Sequence, residues 1–463
     1  MKRSHTANYK SIEGLINLRG QNYDGASVLQ GNISGVAKRI QDIVKKAVSL
    51  HCLNHNLNLV LQEAAKINTI ISSSLSTVQL ICTVIRDSPK RLSVFQSLQG
   101  GKQDSTSLKP LCPTRWTCRT SSLRSILNNY ETVIETLEWI IENGSKTTEG
   151  YKQAPGLIAA LEKFSTLFGL RMCLAVFAPV EEFAKQLQSK DICVQTVVFI
   201  KTSLTRFLTE MRSDEHFQRL YSQCVNEAAD KNIGTPKDSL PRRRRAPKRL
   251  DDYTRIDGCA SSTSDDFNNT EQYYRQAYFE VLDHVIQCME ERFNQETLQY
   301  LLSMERLISE PFQENNQYSS TSSKELQREF PLLEGDINFD KLISELSLLR
   351  PTFQSVCPEI KKVTSINTVI EFLKRANMEV TFKEFGKLVK LYLTVPVSNA
   401  SAERGFSTLR RVKTYLRSRM TQEHLNHFVV LHAHKNLTDN IDLKKVANNF
   451  VTLNERRIRY FGN

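Results

Sequence analysis

The sequence predicts a mainly α-helical protein with a small, partial α/β core. Apolar residues recur at helical spacing along most of the chain, whereas strand-like alternation is confined to two short stretches near the N-terminus. The composition, 40% hydrophobic and 24% charged, is that of a folded globular protein. With 463 residues, the chain is long enough for two or three domains.

The helical prediction rests on apolar residues that return every three or four positions. One such face contains Leu57, Val60, Leu61 and Ala64. The longest pattern predicts a helix that runs from Ile126 to Ile141. The most apolar stretch, 167–180, predicts a buried helix that is broken at Pro179 and is too short to span a bilayer.

Two short strands are predicted near the N-terminus. Residues Val48 to Cys52 alternate in polarity, and a weaker strand precedes Asp24. A carboxylate followed by Gly25 suits the end of a strand with room for a metal ion or substrate, although Asp-Gly alone indicates only a turn. Cys52 and His55 form a Cys-x2-His pair at the junction of strand and helix, which is half of a zinc site at most.

Residues 234–270 form a break in composition. Three prolines, six basic residues within eight positions (242–249) and a polar tract predict a linker or a long exposed loop. The basic run suits a nuclear-import signal or phosphate contacts, and equally a solvated loop. The formal net charge of +12 favours an anionic partner, with nucleic acid first.

The lack of a predicted secretory signal and the spacing of the cysteines predict an intracellular protein. No apolar segment follows the basic N-terminus, so no secretory signal is predicted. The 10 cysteines lack the spacing of a disulfide scaffold and are expected to be reduced. We expect a nuclear location, no membrane association and no small-molecule substrate.

The segment around Glu403 has the most specific pattern in the chain. Pro396 ends the preceding element, and Ser398 or Asn399 can cap a new helix. Glu403 then lies in the first turn, where the helix dipole favours a carboxylate, so its position has a sufficient structural explanation. The stretch that follows contains no acidic residue, and a surface with charges of one sign suits contacts with a phosphate backbone. Its basic residues are Arg404, Arg410, Arg411, Lys413, Arg417 and Arg419.

Apolar residues of the same region predict a seam for self-association. The expected face of the first helix consists of Phe406, Leu409, Val412, Leu416 and Met420. A second helix, capped at Thr421, contributes Leu425, Phe428, Val429 and His432. Packing of both helices within their own domain is the alternative. His424 and His427 lie one turn apart and are interpreted as surface or interface residues rather than metal ligands.

An Arg-Trp pair, Arg115 and Trp116, lies in a polar loop. A tryptophan is commonly a core residue, but such a pair also supplies a cation and a stacking plate for an unpaired base. Cys112 and Cys118 could complete a zinc site with the Cys-x2-His pair, but their spacing is not one that zinc sites usually show.

In this order, these pieces resemble the hAT superfamily of DNA transposases, especially its domesticated vertebrate members such as the zinc-finger MYM-type 1-like proteins. The matching segments are GQNYDGAS (20–27), HCLNHNLNLVL (51–61), CPTRW (112–116) and LTVPVSNASAERGFSTLRRVKTYLRSRM (393–420). The resemblance implies a ribonuclease-H-like core, interrupted by a large helical insertion domain, whose three carboxylates bind two divalent ions, Mg²⁺ in the parent family.

The resemblance also implies roles for individual residues. Asp24 resembles the second catalytic carboxylate and Glu403 the third, so these two would be the metal ligands. Four positions match family motifs that handle DNA: Cys52, His55, Arg115 and Trp116. Basic residues that follow Glu403 are expected to bind DNA as well: Arg410, Arg411 and Arg417. The implied domains are 1–122, the N-terminal part of the core; 123–375, the insertion domain; and 376–463, the last core element with the hAT dimerisation region.

The chain departs from the family pattern upstream of Asp24. Only 23 residues precede it, and their sole acidic residue is Glu13. The first carboxylate and its strands are therefore expected to be missing, and two-metal chemistry needs ligands that hold the ions about 3.5–4 Å apart. We expect an incomplete metal site, no resident cofactor and no cutting or joining of DNA.

Three functions remain open from the sequence. The favoured one is a domesticated, catalytically inactive nuclear protein that self-associates through its C-terminal region and binds DNA. The second is a fragment of an active cut-and-paste transposase. The third is a protein-interaction scaffold that does not bind DNA and uses its basic face on acidic partners.

Overall fold

The computed structural model describes residues 17–31, 33–100, 107–111, 119–189, 192–239, 270–313, 321–360, 363, 365–412 and 420–461. Within these ranges the side chains of Ser27, Asp238, Ser239, Ser401, Glu403, Arg404, Thr408 and Arg411 are not described. The chain divides into two compact units, Met1–Ser398 and Asn399–Asn463.

The first unit is mainly helical. Its strands are β1 (Gly20–Tyr23) and β2 (Val48–His51). The helices up to the basic linker are α1 (Ser27–Gln30), α2 (Val36–Ile43), α3 (Leu53–Ala64), α4 (Thr69–Arg86), α5 (Pro89–Gln99), α6 (Arg119–Asn128), α7 (Tyr130–Asn143), α8 (Glu149–Leu161), α9 (Phe164–Gln186), α10 (Val194–Met211) and α11 (Asp214–Asp230). After the linker follow α12 (Thr270–Phe293), α13 (Glu296–Ser309), α14 (Ser323–Glu329), α15 (Phe339–Val356), α16 (Ile366–Lys374), α17 (Met378–Thr381) and α18 (Lys383–Leu393).

The two strands confirm the predicted positions. They pair in parallel, with Gly20 opposite Val48 and Tyr23 opposite His51, and α1 and α2 form the crossover between them. This β-α-β unit is the α/β portion of a mainly α fold, as predicted. A ribonuclease-H-like domain needs more strands than the two that the described residues form, so that part of the fold prediction stays a prediction.

A long buried helix, α9, lies at the centre of the first unit. It packs against α4, α6 and α11, and around it the aromatic rings of Phe164, Phe168, Phe217, Tyr221 and Tyr274 meet at centroid separations of 4.9–6.3 Å. The prediction that Pro179 breaks this helix was wrong, because α9 continues through it to Gln186. Burial on both sides of Pro179 outweighs the lost backbone hydrogen bond, which costs about 3 kcal/mol in an exposed helix.

The predicted helix over residues 126–141 is two helices. α6 ends at Asn128 and α7 begins at Tyr130, with Asn129 between them. The Asn129 Nδ2 donates to the carbonyl of Ser125 at 2.7 Å, and such a local side-chain bond competes with the helical backbone bonds. Apolar periodicity continues across the break, which explains why the sequence pattern did not reveal it.

Two helices, α4 and α9, are long and apolar enough to cross a membrane by length and composition. The prediction that the apolar stretch 167–180 is too short to span a bilayer was therefore wrong as to length, because α9 extends beyond it at both ends, from Phe164 to Gln186. In each helix, more than half of the most apolar 18-residue window is buried inside the protein, and the two pack against each other. This burial is typical of core helices.

The second unit is a string of five described helices: α19 (Ala400–Val412), α20 (Gln422–Ala433), α21 (Lys435–Thr438), α22 (Leu443–Thr452) and α23 (Glu455–Phe461). As predicted, α19 begins directly after Asn399, and Thr421 caps α20, with its Oγ1 accepting a hydrogen bond from the His424 amide at 3.3 Å. The basic linker at 240–269 lies outside the described residues.

Candidate functional site

The carboxyl ends of the two strands bring Asp24 together with two histidines. Asp24 follows β1 directly and is half-buried, and its Oδ1 accepts a hydrogen bond from the Ala26 amide at 3.2 Å. Gly25 lies against both imidazoles, since a Cβ at this position would be 2.8 Å from Nε2 of His51 and 3.1 Å from Nε2 of His55. Glycine is therefore needed here for close approach, in addition to being a turn residue.

Both histidines are held in the neutral form. Burial, repulsion by His55 and repulsion by Arg292 lower the pKa of His51 to about 4, against a smaller opposing effect of Asp24. Burial also lowers the pKa of His55, and Asp24 again opposes this shift. The two rings lie 5.7 Å apart, and Nε2 of His51 is buried without a hydrogen-bond partner. Neutral imidazoles with free ring nitrogens can accept a hydrogen bond or bind a metal ion.

The remaining residues of the matched segment face the core. Cys52 is fully buried, so its thiol is not presented to a ligand at the surface. Asn54 is also fully buried, and neither its Oδ1 nor its Nδ2 has a hydrogen-bond partner among the described residues. Unpaired buried amides cost roughly 1–3 kcal/mol, and such sites commonly hold water or belong to a functional site.

The segment that leads to α19 is anchored at the same strand ends. Asn22 Nδ2 donates to the Pro396 carbonyl at 2.7 Å, and the Leu53 amide donates to the Val397 carbonyl at 3.2 Å. A Cβ on Gly20 would lie 2.6 Å from the Thr394 carbonyl oxygen, so the chain passes too close for a larger residue. Residues 393–398, which belong to the most specific matched segment, thus contact β1 and the start of α3.

The described donors at Asp24 do not fit the Mg²⁺ pair of the parent family. Mg²⁺ prefers oxygen ligands, whereas the neighbours of Asp24 are two imidazoles. Among the described side chains Asp24 joins no group of three ligand atoms within metal-binding distance. Glu403 lies in the first turn of α19, as predicted, but its side chain is not described. The shared metal site of Asp24 and Glu403 stays a prediction.

A buried carboxylate fixes the chain directly after the Arg-Trp loop. Glu181 of α9 is 1% exposed and accepts hydrogen bonds from the backbone amides of Arg119 and Thr120, at 2.8 and 3.2 Å. It therefore satisfies orphan donors at the start of α6 and opposes the positive end of its dipole. The Arg119 guanidinium donates to Asn58 of α3 at 3.1 Å. Arg115 and Trp116 lie outside the described residues.

The predicted seam of the second unit is only partly as expected. Leu425 is buried, and Leu409, Val412, Met420 and Val429 are half-buried. The side chain of Phe406, predicted to be buried on its helix, is 69% exposed, and that of Phe428 is 47% exposed. The described part of α19 packs on α20, and both rings stay exposed beside this contact. Arg410 is exposed, whereas Leu416 and Arg417 lie outside the described residues.

Sequence reasoning did not single out His51 or Asn54 as site residues. Both lie within the matched segment 51–61, but a histidine at the end of a strand and an asparagine inside a helix carry no specific pattern. Their significance depends on burial and on the lack of hydrogen-bond partners, which appear only in the folded chain. The signal available in the sequence was the position of His51 at the end of a predicted β-strand, as Asp24 directly follows the other predicted strand.

Comparison with known proteins supports the resemblance. Residues 341–437 match the hAT family C-terminal dimerisation region. The chain is 22% identical over 438 residues to the mouse (Mus musculus) 52 kDa repressor of the inhibitor of the protein kinase, and 22% identical over 437 residues to the human (Homo sapiens) protein. These alignments cover 92% of this chain and 54% of each relative, so the chain spans about half the length of the curated relatives it matches. The chain thus contains a segment that matches the hAT family C-terminal dimerisation region and is similar, over most of its length, to a repressor of the inhibitor of the protein kinase.

Proposed function

We propose that this chain is a hAT-derived nuclear protein that forms homodimers through its C-terminal unit and has no transposase activity. The observation that carries the proposal is the uncovered apolar surface of residues 399–463. Of 23 large hydrophobic side chains that are exposed in the described residues, 13 lie in this unit: Phe406, Phe428, Val430, Leu431, Leu437, Ile441, Leu443, Val446, Phe450, Leu453, Ile458, Tyr460 and Phe461. Among its described residues, the buried hydrophobic side chains are Ala400 and Leu425.

Such a concentration of apolar side chains favours association with a second protein surface. Monomeric soluble proteins seldom expose large contiguous apolar patches, and obligate dimer interfaces resemble a hydrophobic core cut in half. The match to a family dimerisation region, which includes α19 and α20, supports a second copy of this chain as the partner. A twofold dimer, the commonest oligomer, would use the same patch on both copies.

Self-association can be tested with a matched pair of charge substitutions. Phe406 and Phe199 are similarly exposed, at 69% and 72%, but Phe199 lies on α10 of the first unit. Because each twofold contact is made twice, Phe406→Glu should cost about 3 kcal/mol and weaken dimerisation roughly 100-fold. Phe199→Glu should leave it unchanged. The measurement is sedimentation equilibrium of the full chain at several concentrations.

Two outcomes of this experiment contradict the proposal. One is a monomeric wild-type chain at micromolar concentration. The other is a dimer that Phe406→Glu and a second variant, Leu431→Glu, leave intact. Circular dichroism of each variant excludes loss of folding as the cause.

DNA binding is a second candidate function, favoured by charge. Residues 399–463 contain 12 Lys and Arg against 5 Asp and Glu, so 12 − 5 gives +7 of the formal net charge of +12 in this unit. Paired in a dimer, two such units would present a strongly basic surface to a polyanion. The nuclear location and the contacts of Arg115 and Trp116 with bases are part of this same proposal.

Salt dependence distinguishes DNA binding from a scaffold role. We expect the affinity for a duplex to fall steeply as salt rises, with the slope reporting the number of phosphate contacts. Arg410→Gln should reduce that slope by about 1 if its exposed guanidinium neutralises one phosphate. Lys201→Gln is the control, since this lysine of the first unit is paired with Glu290. Absence of binding at low salt would favour the scaffold.

Catalytic inactivity is proposed from the donor set at Asp24. One carboxylate and two neutral imidazoles do not provide the oxygen ligands that two-metal phosphoryl transfer needs. We therefore expect no strand cleavage when the full chain is incubated with Mg²⁺ or Mn²⁺ and a hairpin-forming substrate. Cleavage that Glu403→Gln abolishes would contradict this and favour an active transposase.

A further inference from the structure

A separate cluster of metal-ligating side chains joins α3 and α12. It consists of Glu63 on α3 and of His284 and Cys288, one turn apart on α12. The Cys288 Sγ lies 3.5 Å from Oε2 of Glu63 and 3.5 Å from Nε2 of His284. All three ligand atoms are within 4.8 Å of one another. None of its three side chains belongs to the strand-end residues, although Arg292, which pairs with Glu63, also lies near His51.

From this geometry we propose that Glu63, His284 and Cys288 form a zinc-binding site. Tetrahedral zinc places sulfur, nitrogen and oxygen ligands about 2.0–2.3 Å from the ion, and therefore roughly 3.3–3.6 Å from one another. The two separations from the Cys288 sulfur already have this length without any rearrangement. A thiolate, an imidazole and a carboxylate together favour zinc over Mg²⁺ or Ca²⁺, which select oxygen ligands.

Neighbouring groups fix the orientation of the ligands. The Arg292 guanidinium, one turn beyond Cys288, donates to Oε1 of Glu63 at 2.5 Å, so that Oε2 is left to point at the sulfur. Asn56 Nδ2 donates to the Arg292 carbonyl at 3.1 Å, and Asn68 Nδ2 to the Ala277 carbonyl at 3.2 Å, which hold α3 and the start of α4 against α12. Outer partners of this kind orient metal ligands and raise affinity.

The three side chains of the cluster differ in their exposure to solvent. Cys288 is 6% exposed, whereas His284 and Glu63 are half-buried. Three protein ligands with one open side leave the fourth position of a tetrahedron to water. Without an ion, burial and the adjacent Glu63 raise the pKa of the Cys288 thiol to about 11, so the thiol is protonated at neutral pH.

The site would link segments that are distant in sequence. Glu63 and Cys288 are separated by 225 positions, and α12 is the first described helix after the basic linker. A bound ion would therefore attach the chain beyond the linker to α3, which directly follows the β-α-β unit. We expect zinc to stabilise the first unit by the mass-action effect of a ligand that binds only the folded state.

The test is binding of Co²⁺ and Zn²⁺ to the reduced, metal-free full chain. Co²⁺ should give the thiolate charge-transfer band and the intense visible bands of a tetrahedral centre, and Zn²⁺ should displace it. Cys288→Ser should abolish the charge-transfer band and weaken binding by at least roughly 100-fold, whereas Arg292→Gln should weaken it about 10-fold. Cys193→Ser, which alters a half-buried thiol outside the cluster, is the matched control.

Glu63→Gln provides a second variant for the case in which Cys288→Ser does not fold. The Glu63 side chain is 43% exposed, so its replacement leaves the core intact. Loss of Zn²⁺ affinity in this variant, with unchanged circular dichroism, supports the site. The proposal is overturned if the wild-type chain gives no tetrahedral Co²⁺ spectrum, or if that spectrum persists in a folded Cys288→Ser or Glu63→Gln protein.

Discussion

The two units differ in how their side chains are held together. In the first unit, hydrogen bonds join residues hundreds of positions apart, such as Arg19 to Asp336 at 2.8 Å and Asn56 to the Arg292 carbonyl at 3.1 Å. In the second unit, the side-chain hydrogen bonds between described residues span at most seven positions, as from Thr438 Oγ1 to the Leu431 carbonyl. The first unit is thus a tertiary structure, and the second is a chain of locally stabilised helices.

Apolar burial follows the same division. Three phenylalanines of the first unit are fully buried: Phe164, Phe168 and Phe217. In the second unit, Phe406, Phe428 and Phe450 are 69%, 47% and 50% exposed. Helices of this length are marginal in water unless an apolar face is packed. This difference supports the proposal that the second unit packs its apolar side chains against a second copy of the chain. Substitutions in matched pairs, one in each unit, test this difference.

The largest difference is expected between two phenylalanines. Phe168→Ala removes a fully buried ring from the aromatic cluster on α9 and should destabilise the first unit by about 3–5 kcal/mol. Phe450 is 50% exposed and lies 3.9 Å from the Arg457 guanidinium carbon. Phe450→Ala should cost the monomer less than about 1 kcal/mol. Urea denaturation, followed by circular dichroism at low protein concentration, measures both, and equal losses would contradict the comparison.

A carboxylate at a helix N-terminus should contribute more to the free energy of unfolding where it is buried than where it is exposed. Glu181→Ala leaves the amides of Arg119 and Thr120 buried without their acceptor and should cost about 2–3 kcal/mol. Glu423 lies exposed in the first turn of α20, so Glu423→Ala should cost less than about 1 kcal/mol. Urea denaturation of the two variants measures both losses of stability. A small loss for Glu181→Ala would contradict the prediction and show that water replaces the carboxylate as acceptor.

Helix caps provide a comparison in which local contributions are alike. Ser213 caps α11 in the first unit and Thr421 caps α20 in the second, each through its hydroxyl oxygen. Ser213→Ala and Thr421→Ala should each cost their own unit about 1 kcal/mol. Because the second unit has little other stabilisation, only Thr421→Ala should visibly reduce helicity near 37 °C. Unchanged helicity in that variant would mean that the second unit already has a packed core.

The smallest effect is a pH dependence at the strand ends. The pKa of His51 is about 4 in the folded chain and about 6.5 in the unfolded chain, so the unfolded state binds more protons between these values. The stability associated with neutral His51 is therefore complete above pH 6.5 and is lost as the pH falls towards 4. Since the ring is partly exposed, we expect a change below about 1 kcal/mol.

His51→Gln should flatten this dependence, because the amide does not titrate in the range. Exposed His427 of the second unit is the control, and His427→Gln should leave the pH profile unchanged. The measurement is the free energy of unfolding at pH 7 and pH 5. Identical profiles for wild type and His51→Gln would contradict the assigned cause.

The regular elements were largely predictable from the sequence. The strands that end at Tyr23 and His51, the face of α3 and the cap at Thr421 all follow from local patterns, because periodicity and capping depend on near neighbours. The break at Asn129 and the continuation of α9 through Pro179 were not predictable in this way. The first depends on one side-chain bond, and the second on burial by helices far away in sequence.

The candidate site shows the same limit. The sequence indicated Asp24, Cys52 and His55 through a family resemblance, but not that the cysteine is buried or that His51 completes the cluster. Burial and the absence of a hydrogen-bond partner are properties of three-dimensional surroundings, to which residues distant in sequence contribute. No sequence pattern predicted that Glu63 lies close to His284 and Cys288, because these residues are on helices about 220 positions apart in the chain.

Local sequence patterns were sufficient to predict the mainly helical fold, the two short strands, the hAT resemblance and the start of α19 before Glu403. These depend on residue order over short distances, which fixes helix periods, caps and motifs. The folded chain was needed to show that the phenylalanines of the second unit are exposed and that α3 and α12 bring three metal-ligating side chains together. Exposure and ligand geometry depend on which elements pack, and packing is decided by the burial of apolar surface across the whole chain.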